Sequence, residues 1–146
     1  MSHEFEKCLE RGSLVAAEPE RSIIAAELDA AAYDLRKAEA SLSDDDPKWA
    51  TIKAYYTIFH AVRALVRAKG YKERSHYCLL VALRHVYPEV PATAFESAMS
   101  LREEADYESR FSKEAAAAVL KDAKEFLKEA RHILNRVPST EPRKDQ

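Results

Sequence analysis

The fold of this chain is decided by residues 43–70, which read SDDDPKWATIKAYYTIFHAVRALVRAKG. The acidic run at 44–46 offers side-chain caps and places negative charge at the start of a helix, where the helix dipole favours it. Pro47 suits the first helical position, and Gly70 suits the end. We therefore expect a helix from Pro47 to Lys69. It should lie antiparallel to the preceding helix, because the turn between them is short.

Other helices are predicted from apolar periodicity, caps and helix breakers. A short amphipathic helix lies around Phe5 and Leu9, and longer segments follow along the chain. They run from about Pro19 to Leu42, from Ser75 to Tyr87, from about Thr93 to an irregular stretch at 106–111, and from a cap at Ser112 to Val137. The sequence therefore predicts an all-α fold, an antiparallel up-and-down four-helix bundle with one or two additional short helices.

The length of 146 residues fits one domain. We divide it into an N-terminal short helix and linker at 1–19, the helical bundle at 20–137 and a disordered polar tail at 138–146. Gly12 and Gly70 are the only glycines, which leaves little material for sheet turns or glycine-rich phosphate loops.

The cysteine and hydropathy patterns predict a cytoplasmic protein. Cys8 and Cys78 are too few for a disulfide framework and are most simply interpreted as small core residues. No secretory apolar segment opens the chain, and no apolar run approaches the ~20 residues of a membrane span. We expect no association with a membrane.

Charge is unevenly distributed along the chain, although the formal net charge is only −2. Seven basic residues and one acidic residue lie between Lys53 and Arg84, whereas acidic residues dominate from Glu96 to Glu108. An RNA site could use the basic segment. The alternative is that these charges solvate helix faces and pair between helices.

The helix from Pro47 carries a polar flank beside its apolar face. Tyr56, His60, Arg63 and Arg67 follow one another at spacings of four, three and four, which places them along one edge of the helix. One interpretation is a cationic groove with an aromatic ring and an imidazole for binding a nucleotide. The other is a bundle edge with snorkelling arginines and a hydrogen-bonded histidine.

Arg102 is placed unusually for an arginine. Its spacing from Phe95 and Met99 puts the guanidinium at the end of an apolar face, where it needs either an ion-pairing acid or a ligand. Tyr107 could line the same pocket, or it could close over the core with its hydroxyl in water.

Two Glu-x-x-His pairs raise the question of a metal site, since helical di-iron sites use this spacing. They are Glu73 with His76 and Glu129 with His132. Glu73 precedes the predicted cap at Ser75, and the second pair lies away from the apolar stripe of its helix, so the ligands do not converge inwards. We expect neither a metal nor another cofactor.

Several segments together resemble one known family. They are KAYYTIFHAVRAL at 53–65, Gly70, Ser75-His76 and LREEADY at 101–107, before a long final helix. In this order they resemble the HEPN domain (higher eukaryote and prokaryote nucleotide-binding), and the resemblance runs from about Ile23 to Val137. The most specific parts are Tyr-Tyr-x-x-Phe-His and Arg-x-x-Ala-Asp-Tyr.

The resemblance implies a helical bundle that forms homodimers. Members are often encoded beside a small nucleotidyltransferase in toxin–antitoxin pairs, and many are metal-independent ribonucleases with an Arg-x4-6-His signature. On this resemblance Arg102 is the signature arginine, and Tyr107 stands where the histidine would be. A phenol with a reference pKa near ~10 is a poor general base, so catalysis needs His60 or His76 to reach the site.

Three hypotheses follow from these observations. The leading one is a homodimeric HEPN module of a toxin–antitoxin type pair with a minimal nucleotidyltransferase. It binds RNA or a nucleotide at Tyr56, His60, Arg63, Arg67 and His76, with Arg102 and Tyr107 as the candidate catalytic positions. The second is a metal-independent RNA endonuclease that lacks the usual histidine. The third is a helical scaffold without a ligand.

Overall fold

The computed structural model describes residues 2–107 and 111–136 of the chain. Within them are six helices and two short strands. The order is α1 (His3–Glu10), β1 (Leu14–Ala16), α2 (Arg21–Ser43), α3 (Pro47–Ala68), β2 (Tyr71–Glu73), α4 (His76–Val86), α5 (Thr93–Tyr107) and α6 (Lys113–Arg136).

The four long helices α2, α3, α5 and α6 form the bundle, and α1 and α4 are the additional short helices. α3 packs against α2, α4, α5 and α6, and its apolar face lies at the centre of the core. The predicted all-α fold is therefore confirmed. The central position of α3 also means that side chains on its flank face several different elements.

Predicted caps begin three of these helices. The Asp46 carboxylate accepts a hydrogen bond from the Trp49 N–H at 3.3 Å, and Pro47 occupies the first turn of α3. The hydroxyls of Ser75 and Ser112 accept N–H bonds at the starts of α4 and α6, each at 3.0 Å. The cap at Ser75 fixes the start of α4, so that His76 is its first helical residue.

A two-stranded antiparallel sheet joins β1 to β2, which the sequence analysis did not predict. Leu14 pairs with Glu73 and Ala16 pairs with Tyr71. Three-residue strands are too short to show a period-two pattern, and they pair because α3 returns the chain to the N-terminal segment. Gly70 makes this return with a φ of 91°. The pairing positions Glu73 beside the bundle.

The N-terminal segment belongs to the core rather than lying outside it. Phe5, Cys8 and Leu14 are 0–1% exposed. Cys8 is joined to Cys78 of α4 by a disulfide, with a Cα–Cα distance of 5.8 Å. The burial expected of both cysteines is confirmed. The prediction that they are two separate core residues was wrong, because they form a disulfide. The pairing could not be recognised locally, since the two cysteines are 70 residues apart in the sequence.

No helix in the described ranges is both long and apolar enough to cross a membrane. The predicted tail at 138–146 lies outside the described residues.

Candidate functional site

Aromatic rings gather on one flank of α3, where helical spacing places residues three and four positions apart side by side. The Tyr55 and Tyr56 ring centroids are 5.0 Å apart, and the Phe59 centroid lies 5.8 Å from that of Tyr56. Tyr55 is 1% exposed, whereas Tyr56 is only partly buried. On this flank the Tyr55 side chain therefore lies in the core, and the Tyr56 side chain reaches the surface.

Arg102 reaches this flank from α5. Its Cζ atom lies 5.6 Å from the Tyr55 ring centroid and 5.9 Å from the Tyr56 ring centroid. A guanidinium over the faces of two rings is stabilised by the ring quadrupoles. Arg102 also pairs with Asp106, one turn further along α5, at 3.5 Å. The ion pair accounts for its semi-buried position, and its part in ligand binding stays a prediction.

His76 reaches the same flank from the first turn of α4. Its Nδ1 atom lies 2.5 Å from the Tyr55 hydroxyl, and its ring centroid lies 4.5 Å from that of Phe59. Burial lowers the pKa of the imidazole, and the positive charges of Arg102 and Arg63 lower it further. The lowered pKa favours the neutral form of the His76 imidazole.

Tyr55 links these side chains. Burial raises the pKa of its hydroxyl well above the ordinary value, with a smaller raising effect from Tyr56 and an opposing effect from Arg102. The hydroxyl therefore keeps its proton at neutral pH and can donate it in a hydrogen bond. We call the assembled side chains the aromatic–arginine cluster: Tyr55, Tyr56, Phe59, His76 and Arg102.

A second polar group lies between α2, α3 and β2. The His60 Nδ1 atom is 2.7 Å from the Glu27 carboxylate, and the Nε2 atom is 3.6 Å from Asp34. Arg63 lies 3.3 Å from both Glu27 and Glu73. We call this group the α2–α3 ion network: Glu27, Asp34, His60, Arg63 and Glu73.

The network is only partly exposed, since its side chains retain 8–26% of their accessible area. Burial raises the pKa of Asp34, while the charges of His60 and Lys53 act in the opposite direction. His60 and Arg63 thus follow the alternative expectation of charges that pair between helices. Their part in ligand binding stays a prediction.

The flank predicted as one stripe is therefore divided by the tertiary structure. Tyr56 contacts Arg102, whereas His60 and Arg63 face acids. The His60 ring still lies 6.4 Å from the Tyr56 ring, and the Arg63 Cζ atom lies 5.4 Å from the Phe59 ring. The network consequently borders the cluster.

Arg67 belongs to neither group. It is 8% exposed, and no hydrogen bond or ion pair to its side chain occurs within the described part of the chain. Tyr107 ends α5, and its side chain lies outside the described residues.

Sequence reasoning missed some members of both groups. Helical periodicity places Tyr55 and Phe59 on the apolar face of α3, but it identifies a buried face without showing what approaches the edge of that face. Glu27 and Asp34 are seven residues apart, two turns on the same side of α2, and this spacing is the signal that could have identified them. No comparable local signal existed for Glu73, whose position depends on the sheet.

No group of three or more histidine, cysteine, aspartate or glutamate side chains in the described residues is placed to hold a metal ion. Within the described part of the chain, Glu73 contacts Arg63, and His76 contacts Tyr55. The chemistry available at the cluster is therefore that of a guanidinium, an imidazole, a phenol and aromatic faces. These groups can stack on a base and bind an anionic oxygen.

Comparison with known proteins agrees with the motif resemblance. The family model of the HEPN domain matches residues 25–138, a segment that includes most of α2 and continues through α6. A UPF0332 protein from Archaeoglobus fulgidus is 30% identical to this chain over 90 residues. That similarity covers 57% of this chain and 72% of the relative.

Proposed function

Because this chain belongs to the HEPN domain family, we propose that it is an RNA- or nucleotide-binding module whose ligand lies against the aromatic–arginine cluster. The observation that carries the proposal is the position of Arg102 over the rings of Tyr55 and Tyr56, with His76 on the same flank. In this proposal the Arg102 guanidinium binds a phosphate and Tyr56, the more exposed ring, stacks on a base. Such stacking is worth about 1–3 kcal/mol for each base.

His60 and Arg63 enter the proposal as the border of the site. The contact of Arg63 with Phe59 brings positive charge near the bound ligand, although acids oppose part of that charge, and the His60 ring borders Tyr56. Arg67, which the sequence grouped with them, is not included because no side-chain hydrogen bond, ion pair or ring contact connects it to the cluster in the described residues.

The direct test is binding of a fluorescein-labelled single-stranded oligoribonucleotide of mixed sequence, measured by anisotropy. We expect Arg102→Ala to weaken binding about tenfold or more, as for loss of one charge-assisted hydrogen bond. Arg36→Ala is the matched control. Arg36 is exposed on α2 and lies 6.0 Å from the Tyr33 ring, so the control removes the same charge from over a tyrosine elsewhere. Equal affinities for the two variants would place the ligand away from the cluster.

A second candidate function is RNA cleavage without a metal. It is supported by His76, which supplies near Arg102 the imidazole that the local motif lacks. Incubation of total tRNA with the purified chain and a chelator tests this function. Cleavage by wild type and by Arg36→Ala, but not by Arg102→Ala, would identify a ribonuclease. Intact tRNA in every sample would leave binding as the function.

The family resemblance also leads us to propose a homodimer that pairs with a minimal nucleotidyltransferase in a toxin–antitoxin arrangement. The cytoplasmic location stays a prediction from the hydropathy pattern alone, because the Cys8–Cys78 disulfide removes its support from the cysteines. Light scattering after size-exclusion chromatography tests the dimer. Co-expression with a nucleotidyltransferase encoded beside this chain, followed by co-purification, tests the pair. Separate elution of two soluble proteins would remove the partner from the proposal while leaving the RNA site untouched.

A further inference from the structure

The two ring nitrogens of His76 have different surroundings. Nδ1 lies 2.5 Å from the Tyr55 hydroxyl, whereas Nε2 has no hydrogen-bonding partner within the described part of the chain. The Tyr55 hydroxyl likewise has no other partner there. One hydrogen bond therefore decides where the protons of both side chains lie.

Burial of Tyr55 decides the direction of this bond. If Nδ1–H donated to the phenol oxygen, the hydroxyl proton of a side chain only 1% exposed would have no acceptor. An unsatisfied buried donor costs about 1–3 kcal/mol. The hydroxyl therefore donates to Nδ1, and a neutral imidazole with Nδ1 as acceptor carries its proton on Nε2.

Charged and titratable groups from each surrounding element agree with a neutral ring. Arg63 of α3 and Arg102 of α5 both oppose a second proton on His76. Their acidic partners, Glu73 of β2 and Asp106 of α5, are each paired with one of these arginines. Tyr55 keeps its own proton because burial raises its pKa. The same positive charges that disfavour an imidazolium favour an anionic oxygen at Nε2.

We infer that His76 is a neutral hydrogen-bond donor which, oriented by Tyr55, presents its Nε2–H to a phosphate oxygen of the ligand beside Arg102. This inference rests on the proposed function and deepens it, because it names the phosphate as the group that His76 recognises. Tyr55 is the positioning residue, since it acts on the ligand only through His76. In this state Nε2 is already protonated. His76 therefore serves any cleavage reaction as a donor to developing negative charge and not as a general base.

The proton position is tested without any ligand. Long-range ¹⁵N–¹H correlation spectra of the full chain with ¹⁵N-labelled histidine distinguish the two tautomers, and the His76 signals are assigned by their loss in His76→Asn. We expect the Nε2–H form at pH 7. Tyr55→Phe removes the donor, so the His76 pKa should rise towards its ordinary value. A Nδ1–H tautomer or an imidazolium at pH 7 in the wild type would overturn the inference.

The donor role is tested with the same labelled oligoribonucleotide. Glutamine places an amide N–H near the position of Nε2, whereas asparagine places its amide near Nδ1. His76→Asn should weaken RNA binding about tenfold, whereas His76→Gln should keep most of the wild-type affinity. Equal affinity of wild type and His76→Asn, with Arg102→Ala still defective, would overturn this inference alone. Absence of binding by the wild type would instead remove the proposed function and, with it, the ligand role of His76.

Discussion

Tyr56 and His60 lie one helical turn apart on α3, yet they belong to regions of different character. Around His60 and Arg63, acids from α2 and β2 lie 2.7–3.6 Å from the imidazole and guanidinium nitrogens. Around Tyr56, the neighbours are the rings of Tyr55 and Phe59 and the Arg102 guanidinium, and His76 contacts the same two rings. The first region fits a role in holding helices together, and the second keeps an imidazole N–H for a ligand.

This difference shows that spacing on one helix does not decide whether a polar side chain is structural or functional. α2 and β2 cover one side of the flank with carboxylates, and α4 and α5 cover the other with His76 and Arg102. The elements that arrive from elsewhere in the sequence therefore decide the role of each residue.

The largest expected effect comes from the disulfide, which braces the helix that carries His76. Replacing both Cys8 and Cys78 by serine should lower the free energy of unfolding by about 4 kcal/mol. The disulfide joins residues 70 positions apart, and closing so long a loop restricts the unfolded chain. Urea denaturation with and without a dithiol reductant measures this. The reductant should destabilise wild type and leave the double variant unchanged. Two titratable thiols in unreduced, unfolded wild type would contradict the prediction.

A smaller effect should follow from breaking the ion network. Glu27 contacts both His60 and Arg63, so Glu27→Ala leaves a partly buried imidazole and a partly buried guanidinium without one of their partners. We expect a loss of about 2 kcal/mol in unfolding free energy, below the range for fully buried pairs because these side chains are partly exposed. The exposed Glu39→Ala is the control and should change stability by less than about 0.5 kcal/mol.

RNA binding by Glu27→Ala tests whether the ion network and the aromatic–arginine cluster act separately. If the network is structural, folded Glu27→Ala should bind the oligoribonucleotide at least as well as wild type, because only a negative charge has been removed. A tenfold loss of affinity in the folded variant would show that the two regions act as one site.

The smallest effect is the pH dependence contributed by His76. Its pKa is lower in the folded state than the ordinary value of 6.5, so the folded state binds fewer protons. The stability associated with the neutral ring is present above pH 6.5 and is lost as the pH falls through the folded-state pKa. His76→Gln should therefore lose less stability than wild type between pH 7.5 and pH 5, measured by urea denaturation. His132→Gln, at an exposed histidine of α6, should retain the wild-type slope.

Much of the fold followed from local signals. The acidic cap and Pro47 start α3, the hydroxyls of Ser75 and Ser112 start two more helices, and apolar periodicity identified the core faces. The unusual position of Arg102 was also apparent, because a cation at the end of an apolar stripe can be recognised within a single helix.

The site was predicted less completely. Arg102, Tyr56 and His76 were identified as candidates, but nothing local showed that Tyr55 would hold His76 or that Glu27 and Asp34 would face His60. Tyr55 and His76 are 21 residues apart, and Glu27 and His60 are 33 apart. Such pairs become neighbours only when the helices pack.

The sequence by itself determined the helices, their caps, the family and the residue types available for chemistry, because these depend on spacing within a few turns of one segment. Only the tertiary structure decided the short sheet, the Cys8–Cys78 disulfide, the separation of the α2–α3 ion network from Arg102 and the contact between Tyr55 and His76. The physical reason is that ion pairs, buried hydrogen bonds and pKa shifts depend on distances between elements. Those distances exist only after the core has formed.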